Sequence, residues 1–196
     1  MRRNLLSLFA IVSLIAFGCQ KNETAKSDTA TTSTWTIGTS AATSTTGTSA
    51  ASLSDADKDF MAKVAQGGIA EVNAAQLAFA KASANDVKAF GNRMINDHGK
   101  ANDELKQLAT NKGVTLPTET DTDQKKAFDA LATKTGKAFD KAYMTDMVKD
   151  HETVVAAFEK ESTDAQDPDL KSWVTKTLPT IQDHLKMAKQ INSKLK

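Results

Sequence analysis

The sequence predicts an all-α protein folded as an antiparallel four-helix bundle. Between residues 54 and 196, glycine and proline are scarce, period-2 alternation is absent, and Ala, Lys, Leu, Asp and Phe recur at helical spacing. This region contains four helical stretches of about 26 residues, each about 40 Å long at a rise of 1.5 Å per residue. Short turns near residues 84 and 165 make neighbouring helices antiparallel, as a four-helix bundle requires.

The chain begins with the pattern of an export signal. A basic start at residues 1–3 is followed by an apolar run at 5–17 and by Gly18-Cys19, so residues 1–18 are predicted to be a signal peptide. The segment before Cys19 resembles the lipobox of bacterial lipoproteins, which implies that this cysteine is acylated. An ordinary secretory peptide with an incidental cysteine is the alternative. Because Gln20 rather than Asp follows the cysteine, we expect an outer-membrane lipoprotein that faces the periplasm or the cell surface.

Residues 19–53 are predicted to be a disordered tether. Ser, Thr, Ala and Gly dominate this stretch, and such a composition cannot bury enough apolar surface to offset its ordering entropy. Residues 54–196 have the commonest size of a single domain. The chain carries a formal net charge of +1, with acidic and basic residues interspersed. This pattern argues against nucleic-acid binding and leaves the lipid anchor as the expected contact with a membrane.

The first two long helices are bounded by recognisable signals. Ser54 with Asp57 three residues later resembles a capping box, which opens a helix running to about Ser83. The second helix begins at Asn85 and ends near residue 112. Gly113 suits the left-handed position that follows a helix C-terminus.

The remaining elements follow a longer connection at 114–122. A short helix is predicted near 123–133, between the second and third long helices. The third long helix is predicted at about 137–162. The fourth, at about 168–193, follows Asp167 as N-cap and has a proline in its first position.

Each long helix carries one polar residue within its apolar stripe. All three histidines of the chain, His98, His151 and His184, lie mid-helix among apolar neighbours. The matching residue on the first helix is Glu71, whose stripe also contains Phe60, Val64, Gly68, Ala75, Ala78 and Ala82. Because buried charges are costly unless paired or metal-bound, and bundles build metal sites from such inward-facing residues, the four residues predict a metal site. A Glu71–histidine ion pair without metal is the alternative.

An aspartate precedes every histidine. Residues one apart on a helix point about 100° apart, so Asp97, Asp150 and Asp183 cannot chelate an ion together with the histidine beside them. They are predicted to act as outer acceptors that orient a histidine on an adjacent helix. Aspartates that face solvent at the boundary of the core are the alternative.

Methionines lie one helical turn from each histidine. Met94, Met147 and Met187 are spaced four, four and three residues from them. A thioether ligand beside an imidazole ligand suits copper. Methionine is also an ordinary residue of hydrophobic cores, and we favour that interpretation. The segments at 94–98 and 147–151, offset by 53 residues, are consistent with a duplicated helical hairpin.

Three segments resemble the domain-of-unknown-function family 4142. They are DKDFMAKVAQGGIAEVNAAQLAFAKASANDVKAFGNRMINDH, AFDKAYMTDMVKDH and LPTIQDHLKMAKQI. The resemblance implies a ferritin-like helical fold and a periplasmic or outer-membrane location, and it makes Glu71, His98, His151 and His184 the residues of interest. It implies no activity.

The sequence departs from catalytic ferritin-like proteins at the positions that hold two irons. Those proteins carry Glu-x-x-His motifs, whereas Ile95, Val148 and Ile181 stand three residues before the histidines here. One glutamate and three histidines make at most a mononuclear site.

Two functional hypotheses follow. The first is a metal-binding envelope lipoprotein, for sequestration or stress protection, that holds one iron, copper, zinc or manganese ion. The second is a non-catalytic structural or interaction module with an envelope protein as partner, in which the polar residues fix helix register. We favour the second because no residue pattern indicates turnover and no catalytic residue is predicted. Phosphate-binding loops and thiol catalysis are excluded, since Gly67-Gly68 lies within a helix and the sole cysteine is the anchor.

Overall fold

A computed structural model describes residues 53–195 as five helices and no strand. The helices are α1 (Asp55–Lys81), α2 (Asn85–Asn111), α3 (Thr122–Ala132), α4 (Gly136–Asp164) and α5 (Pro168–Lys194). The predicted all-α four-helix bundle, with an extra short helix between the second and third long helices, is therefore confirmed. The predicted signal peptide, the tether and Cys19 lie outside the described residues.

The four long helices form two antiparallel hairpins that pack against each other. One hairpin is α1–α2 and the other is α4–α5, and α1 also packs against α4 while α2 packs against α5. The short helix α3 lies against α1 and α4. Their apolar faces form two core clusters, one around Phe90 and Tyr143 and one around Phe158 and Trp173. Over the described residues, none of the helices has the length and apolar character of a membrane span.

The predicted helix caps are largely confirmed. The Ser54 hydroxyl accepts the backbone N–H of Asp57 at 3.0 Å, and the Asp167 carboxylate accepts two N–H groups in the first turn of α5. Gly113 has a φ of 68°, the left-handed conformation that side chains disfavour. The capping-box role of Asp57 is corrected, because its carboxylate binds the turn between α4 and α5 instead.

Two buried aspartates each hold the turn of the opposite hairpin. Asp57 accepts the backbone N–H groups of residues 166–167 at 3.4 and 3.2 Å. Asp140, near the start of α4, accepts those of residues 83–84 at 2.9 Å each. Both carboxylates are almost completely buried. Each hairpin therefore satisfies the turn of the other, which fixes the height of the two hairpins relative to each other.

The two hairpins are related by an approximate two-fold repeat with an interval of 83 residues. Asp140 follows Asp57 by this interval, and residues 166–167 follow 83–84. Buried side chains obey it as well, in the pairs Met61 and Met144, Val87 and Leu170, and Phe90 and Trp173. The 53-residue duplication inferred from the sequence is wrong, because it matches the second helix of one hairpin with the first helix of the other.

The N-terminal half of α1 is rotated relative to the predicted stripe. Met61 and Ala65 are buried, whereas Phe60 and Val64 are only partly buried. The rotation follows from Asp57, because turning its carboxylate toward the α4–α5 turn places residues 61 and 65 on the core face. Phe60 and Val64 then line a cavity.

Candidate metal centre

The three histidines meet in the interior of the bundle. His98 on α2, His151 on α4 and His184 on α5 are 8%, 0% and 1% exposed. One ring nitrogen from each lies within 4.8 Å of those of the other two, and the ring centroids are 5.2–5.7 Å apart. Residues far apart in sequence thus form one cluster with contributions from three helices.

Each histidine uses one ring nitrogen for a hydrogen bond. His98 Nδ1 lies 2.9 Å from Glu71 Oε2, and His184 Nε2 lies 2.8 Å from Asp97 Oδ2. His151 Nδ1 lies 2.9 Å from the Met147 carbonyl oxygen, one turn earlier on α4. These three contacts hold each ring in one orientation.

The partners determine which nitrogen carries the proton. Carbonyl and carboxylate oxygens only accept hydrogen bonds, so the nitrogens that face Met147, Asp97 and Glu71 must be N–H donors. The opposite nitrogens, Nε2 of His98 and His151 and Nδ1 of His184, are buried without a hydrogen-bond partner. In the neutral rings these three atoms carry free lone pairs.

The electrostatics favour neutral imidazoles at two of the three positions. Burial lowers the pKa of His184 to about 4 despite its contact with Asp97, and burial likewise lowers the pKa of His151. Burial also disfavours charge on Glu71 and His98, but their mutual attraction and hydrogen bond outweigh it. As a result, the pKa of Glu71 lies well below its usual value and that of His98 is raised.

Glu71 contacts two of the three histidines. Its oxygens face Nδ1 of His98 and, at 3.5 Å, Nδ1 of His151, the nitrogens opposite those that have no hydrogen-bond partner. The prediction that Glu71 is a fourth metal ligand stays a prediction. In the described conformation, Glu71 is an acceptor that orients His98.

The three aspartates that precede the histidines occupy different environments. Asp97 accepts the hydrogen bond from His184, on the adjacent helix, and also pairs with Arg93 at 3.1 Å. Asp150 stands at the rim of the cavity, where partial burial and the charge of Glu71 raise its pKa to about 6. Asp183 is exposed. The geometry therefore brings one of the three into contact with a histidine.

A cavity of about 380 Å³ adjoins the cluster. Its lining includes His98 and His184 together with a set of small and apolar residues one helical turn away, namely Gly68, Ala101, Val154 and Ile181. The more distant end is lined by aromatic residues, Phe60, Phe158 and Trp173. Sequence reasoning missed this cavity, because it assigned Phe60, Val64 and Trp173 to apolar stripes that face the core.

The cluster has the chemistry of a transition-metal site. Metal-bound histidines characteristically donate their second ring N–H to a carboxylate or a carbonyl, which is the pattern here. Nitrogens in a tetrahedral site with bonds of 2.0–2.1 Å would lie about 3.3–3.4 Å apart, so small side-chain movements would bring the three ligands into range.

Comparison with known proteins identifies a family and a fold. The family model described as a domain of unknown function (DUF4142) matches residues 42–191. A solved DUF305 fragment from Deinococcus radiodurans matches with a TM-score of 0.65 at 10% identity, covering 73% of this chain and 99% of that one. CopM in the Cu(II)-bound form matches with a TM-score of 0.61 at 19% identity, covering 70% and 96%. No curated protein matches the sequence. At these identities the two structures establish the helical fold alone.

Proposed function

This chain belongs to the family described as domain of unknown function DUF4142, and we propose that it is an envelope lipoprotein that binds one copper ion between His98, His151 and His184. The proposed role is sequestration of copper in the cell envelope. The sequence alone favoured a structural module, and the arrangement of the histidines reverses that preference.

The observation that carries the proposal is the meeting of three buried histidines, each with one ring nitrogen that has no hydrogen-bond partner. A buried polar atom without a partner costs about 1–3 kcal/mol, and His98, His151 and His184 each have one such atom. A purely structural network would satisfy its members, as buried polar groups in proteins generally are. A bound cation accounts for all three at once.

The donor set favours copper among the four metals considered. Imidazole nitrogen suits zinc, copper and iron, whereas manganese prefers carboxylates and water. Divalent copper binds a given nitrogen site more tightly than iron or zinc in the Irving–Williams order. The fold is shared with CopM, which has been solved in a Cu(II)-bound form. Zinc is the strongest competitor for this donor set.

Glu71 and Asp97 would serve the ion indirectly. Each accepts an N–H from one of the proposed ligands, which fixes the tautomer and raises the basicity of the opposite nitrogen. The negative charge of Glu71, together with that of Asp97, which Arg93 partly offsets, would also reduce the cost of a divalent cation inside the bundle.

The lipid anchor is the second part of the proposal. An acylated Cys19 would hold the bundle at the outer membrane through the Ser/Thr-rich tether, where envelope copper is encountered. Metabolic labelling with a palmitate analogue tests this. We expect the lipid label on the full-length protein and its loss in Cys19→Ser, and a label that persists in Cys19→Ser would contradict it.

The copper proposal is tested by metal content. The protein is isolated without a histidine tag from its own envelope, beside a His98→Ala/His151→Ala variant and a Val154→Ala/Ile181→Ala control from the neighbouring apolar layer. We expect near-stoichiometric copper in the parent and the control and none in the histidine variant, measured by mass spectrometry and electron paramagnetic resonance.

The competing structural hypothesis has a distinct outcome. If the parent contains no metal and does not bind added copper or zinc, while the histidine variant is folded but less stable, the cluster is a buried polar network. Stoichiometric zinc in place of copper would support the metal site and show that zinc is the bound ion.

A further inference from the structure

The cavity is stacked directly on the histidine layer. Four of its lining residues, Gly68, Ala101, Val154 and Ile181, stand three positions from Glu71, His98, His151 and His184 on the same helices. Three residues correspond to about 4.5 Å along a helix. A molecule in the cavity would therefore lie within one helical turn of the proposed copper ligands.

The two layers are also related by the two-fold repeat. An interval of 83 residues pairs Glu71 with Val154 and His98 with Ile181, and it pairs the other two histidines with Gly68 and Ala101. Every polar residue of one layer thus has a small or apolar counterpart in the other. This replacement accounts for the open space, because these counterparts do not fill the interior of their layer.

The cavity suits a small aromatic molecule. Its volume of about 380 Å³ lies within the roughly 300–1,000 Å³ typical of ligand pockets, and an apolar cavity of about 150 Å³ is enough for benzene. Phe60 packs edge-to-face on Phe158 at 5.2 Å, and Phe158 packs on Trp173 at 5.7 Å. These rings form an aromatic wall at the end away from the histidines.

The inner end of the cavity suits an uncharged donor atom. His98 and His184 line it, and a metal held by three histidines keeps a coordination position for a further ligand. Three carboxylates, those of Glu71, Asp97 and Asp150, and one lysine, Lys63, also border the cavity. Their summed charge would balance a divalent ion, so the loaded site would have no net positive charge with which to attract an anion.

We propose that the cavity binds a small, uncharged aromatic molecule whose nitrogen donor coordinates the copper of the trihistidine centre. The inference rests on the proposed function and adds to it a ligand class. In this arrangement the aromatic wall contacts the ring of the ligand, and the nitrogen donor of the ligand extends from the cavity to the metal in the histidine layer.

The paired glycines of α1 give access to this cavity. Gly67 lines it, and a Cβ built there has no neighbour within 4 Å, whereas a Cβ at Gly68 would collide with the Asn102 side chain. Gly67 is thus the position at which an added side chain can fill the cavity without disturbing the helix packing. Gly99 on α2 is a matched control, because its surroundings are equally open and it does not line the cavity.

The experiment compares two azoles on the copper-loaded, full-length protein. Imidazole and 4-phenylimidazole are titrated while the Cu(II) electron paramagnetic resonance spectrum is followed. We expect 4-phenylimidazole to bind at least about tenfold more tightly, the gain that burial of an aromatic ring provides. Gly67→Leu should remove this preference and Gly99→Leu should retain it, with copper stoichiometry unchanged in both.

A second pair of variants guards against a folding defect in Gly67→Leu. Ala156 and Ala157 of α4 are both exposed, and Ala157 lines the cavity whereas Ala156 does not, so Ala157→Phe should remove the preference and Ala156→Phe should not. Bound copper with equal affinity for both azoles, or a preference that survives both filling variants, overturns the inference and leaves the copper proposal intact. Absence of bound copper overturns both, and the copper signal separates the two cases.

Discussion

Two neighbouring layers of the bundle differ in composition although the repeat relates them. One layer contains Glu71 and the three histidines, and the other contains Gly68, Ala101, Val154 and Ile181. In the first layer the ring nitrogens of three histidines meet, and the second layer borders a cavity. A repeated helical hairpin therefore supplies the scaffold, and the chemistry lies where the two copies differ.

The ends of the bundle show the opposite behaviour, because the repeat is kept there. Asp57 and Asp140 hold equivalent turns through equivalent backbone N–H groups. These contacts already set the register of the hairpins. The buried histidines are therefore not needed to specify register, which weakens the structural hypothesis for them.

The strongest expected effect is the loss of copper affinity when one histidine of the polar layer is removed. His151→Ala should weaken Cu(II) binding by at least about 1,000-fold, beyond the 10–100-fold typical of outer-sphere residues, because it removes one of three donors. Val154→Ala, one turn along the same helix, should leave affinity within about threefold. Competition titration with a copper chelator measures both. Equal losses in the two variants would mean that packing, and not coordination, controls binding.

The next effect concerns the two turns. Asp140→Ala should reduce the free energy of unfolding by about 1–3 kcal/mol, because it removes the acceptor of two partly buried backbone N–H groups, each hydrogen bond being worth about 0.5–1.5 kcal/mol. Asp57→Ala should cost less, since its contacts are 3.2 and 3.4 Å against 2.9 Å for Asp140. Urea denaturation of the metal-free protein compares them. A larger loss for Asp57→Ala would contradict this ranking.

A smaller effect separates the aspartates that precede the histidines. Asp97→Asn should weaken copper affinity by about 10–100-fold, because a neutral amide is a poorer acceptor for the His184 N–H. Asp183→Asn, at an exposed position, should have no effect. Calorimetric titration with Cu(II) measures the difference, and equal affinities for the two variants would remove Asp97 from the proposed site.

The smallest expected effect is a pH-dependent change in stability. It comes from a carboxyl group that is present at one end of the bundle and absent from the other. Glu161 lies beside Asp57, and burial followed by the charge of Asp57 raises its pKa, whereas its counterpart in the other hairpin is Ala78. Because the folded state then binds more protons than the unfolded state, stability falls as pH rises from about 4.3 through the folded-state pKa. Glu161→Gln should stabilise the protein at pH 7 by less than about 1.4 kcal/mol, the equivalent of one pKa unit.

A measurement at low pH and a substitution at an exposed glutamate are the controls for Glu161→Gln. Below the unfolded-state pKa, Glu161 is protonated in the folded and in the unfolded state, so Glu161→Gln should give no gain in thermal stability at low pH. Glu159→Gln, at an exposed position on α4, should show no gain at either pH. A gain in stability that does not depend on pH would mean that packing, and not charge, explains the effect of Glu161→Gln.

Most of the fold was predictable because its signals are local. Helical periodicity, the caps at Ser54 and Asp167, and the left-handed Gly113 depend on residues within one or two turns of each other, and each is found as expected. The placement of the histidines on core faces also followed from periodicity, since an apolar stripe must face the interior of a bundle.

The assignments that failed or stayed open depend on contacts between distant residues. The rotation of α1 is set by Asp57 meeting the turn at 166–167, about 110 residues later along the chain, and no local pattern encodes that meeting. The repeat interval was missed for a related reason. Its visible trace, Asp-Lys-x-aromatic-Met at 57–61 and 140–144, is short, and the shared Met-x-x-Asp-His motif suggested a different interval.

The chemistry of the candidate site was decided by tertiary structure. Sequence spacing identified which residues face inward, because the period of the helix sets the direction of each side chain. It could not show that the three histidines share one level, which nitrogen of each is hydrogen-bonded, or that Glu71 and Asp97 accept hydrogen bonds from two of them. Those properties depend on how antiparallel helices slide and rotate against one another, and here buried contacts between the two hairpins fix that arrangement.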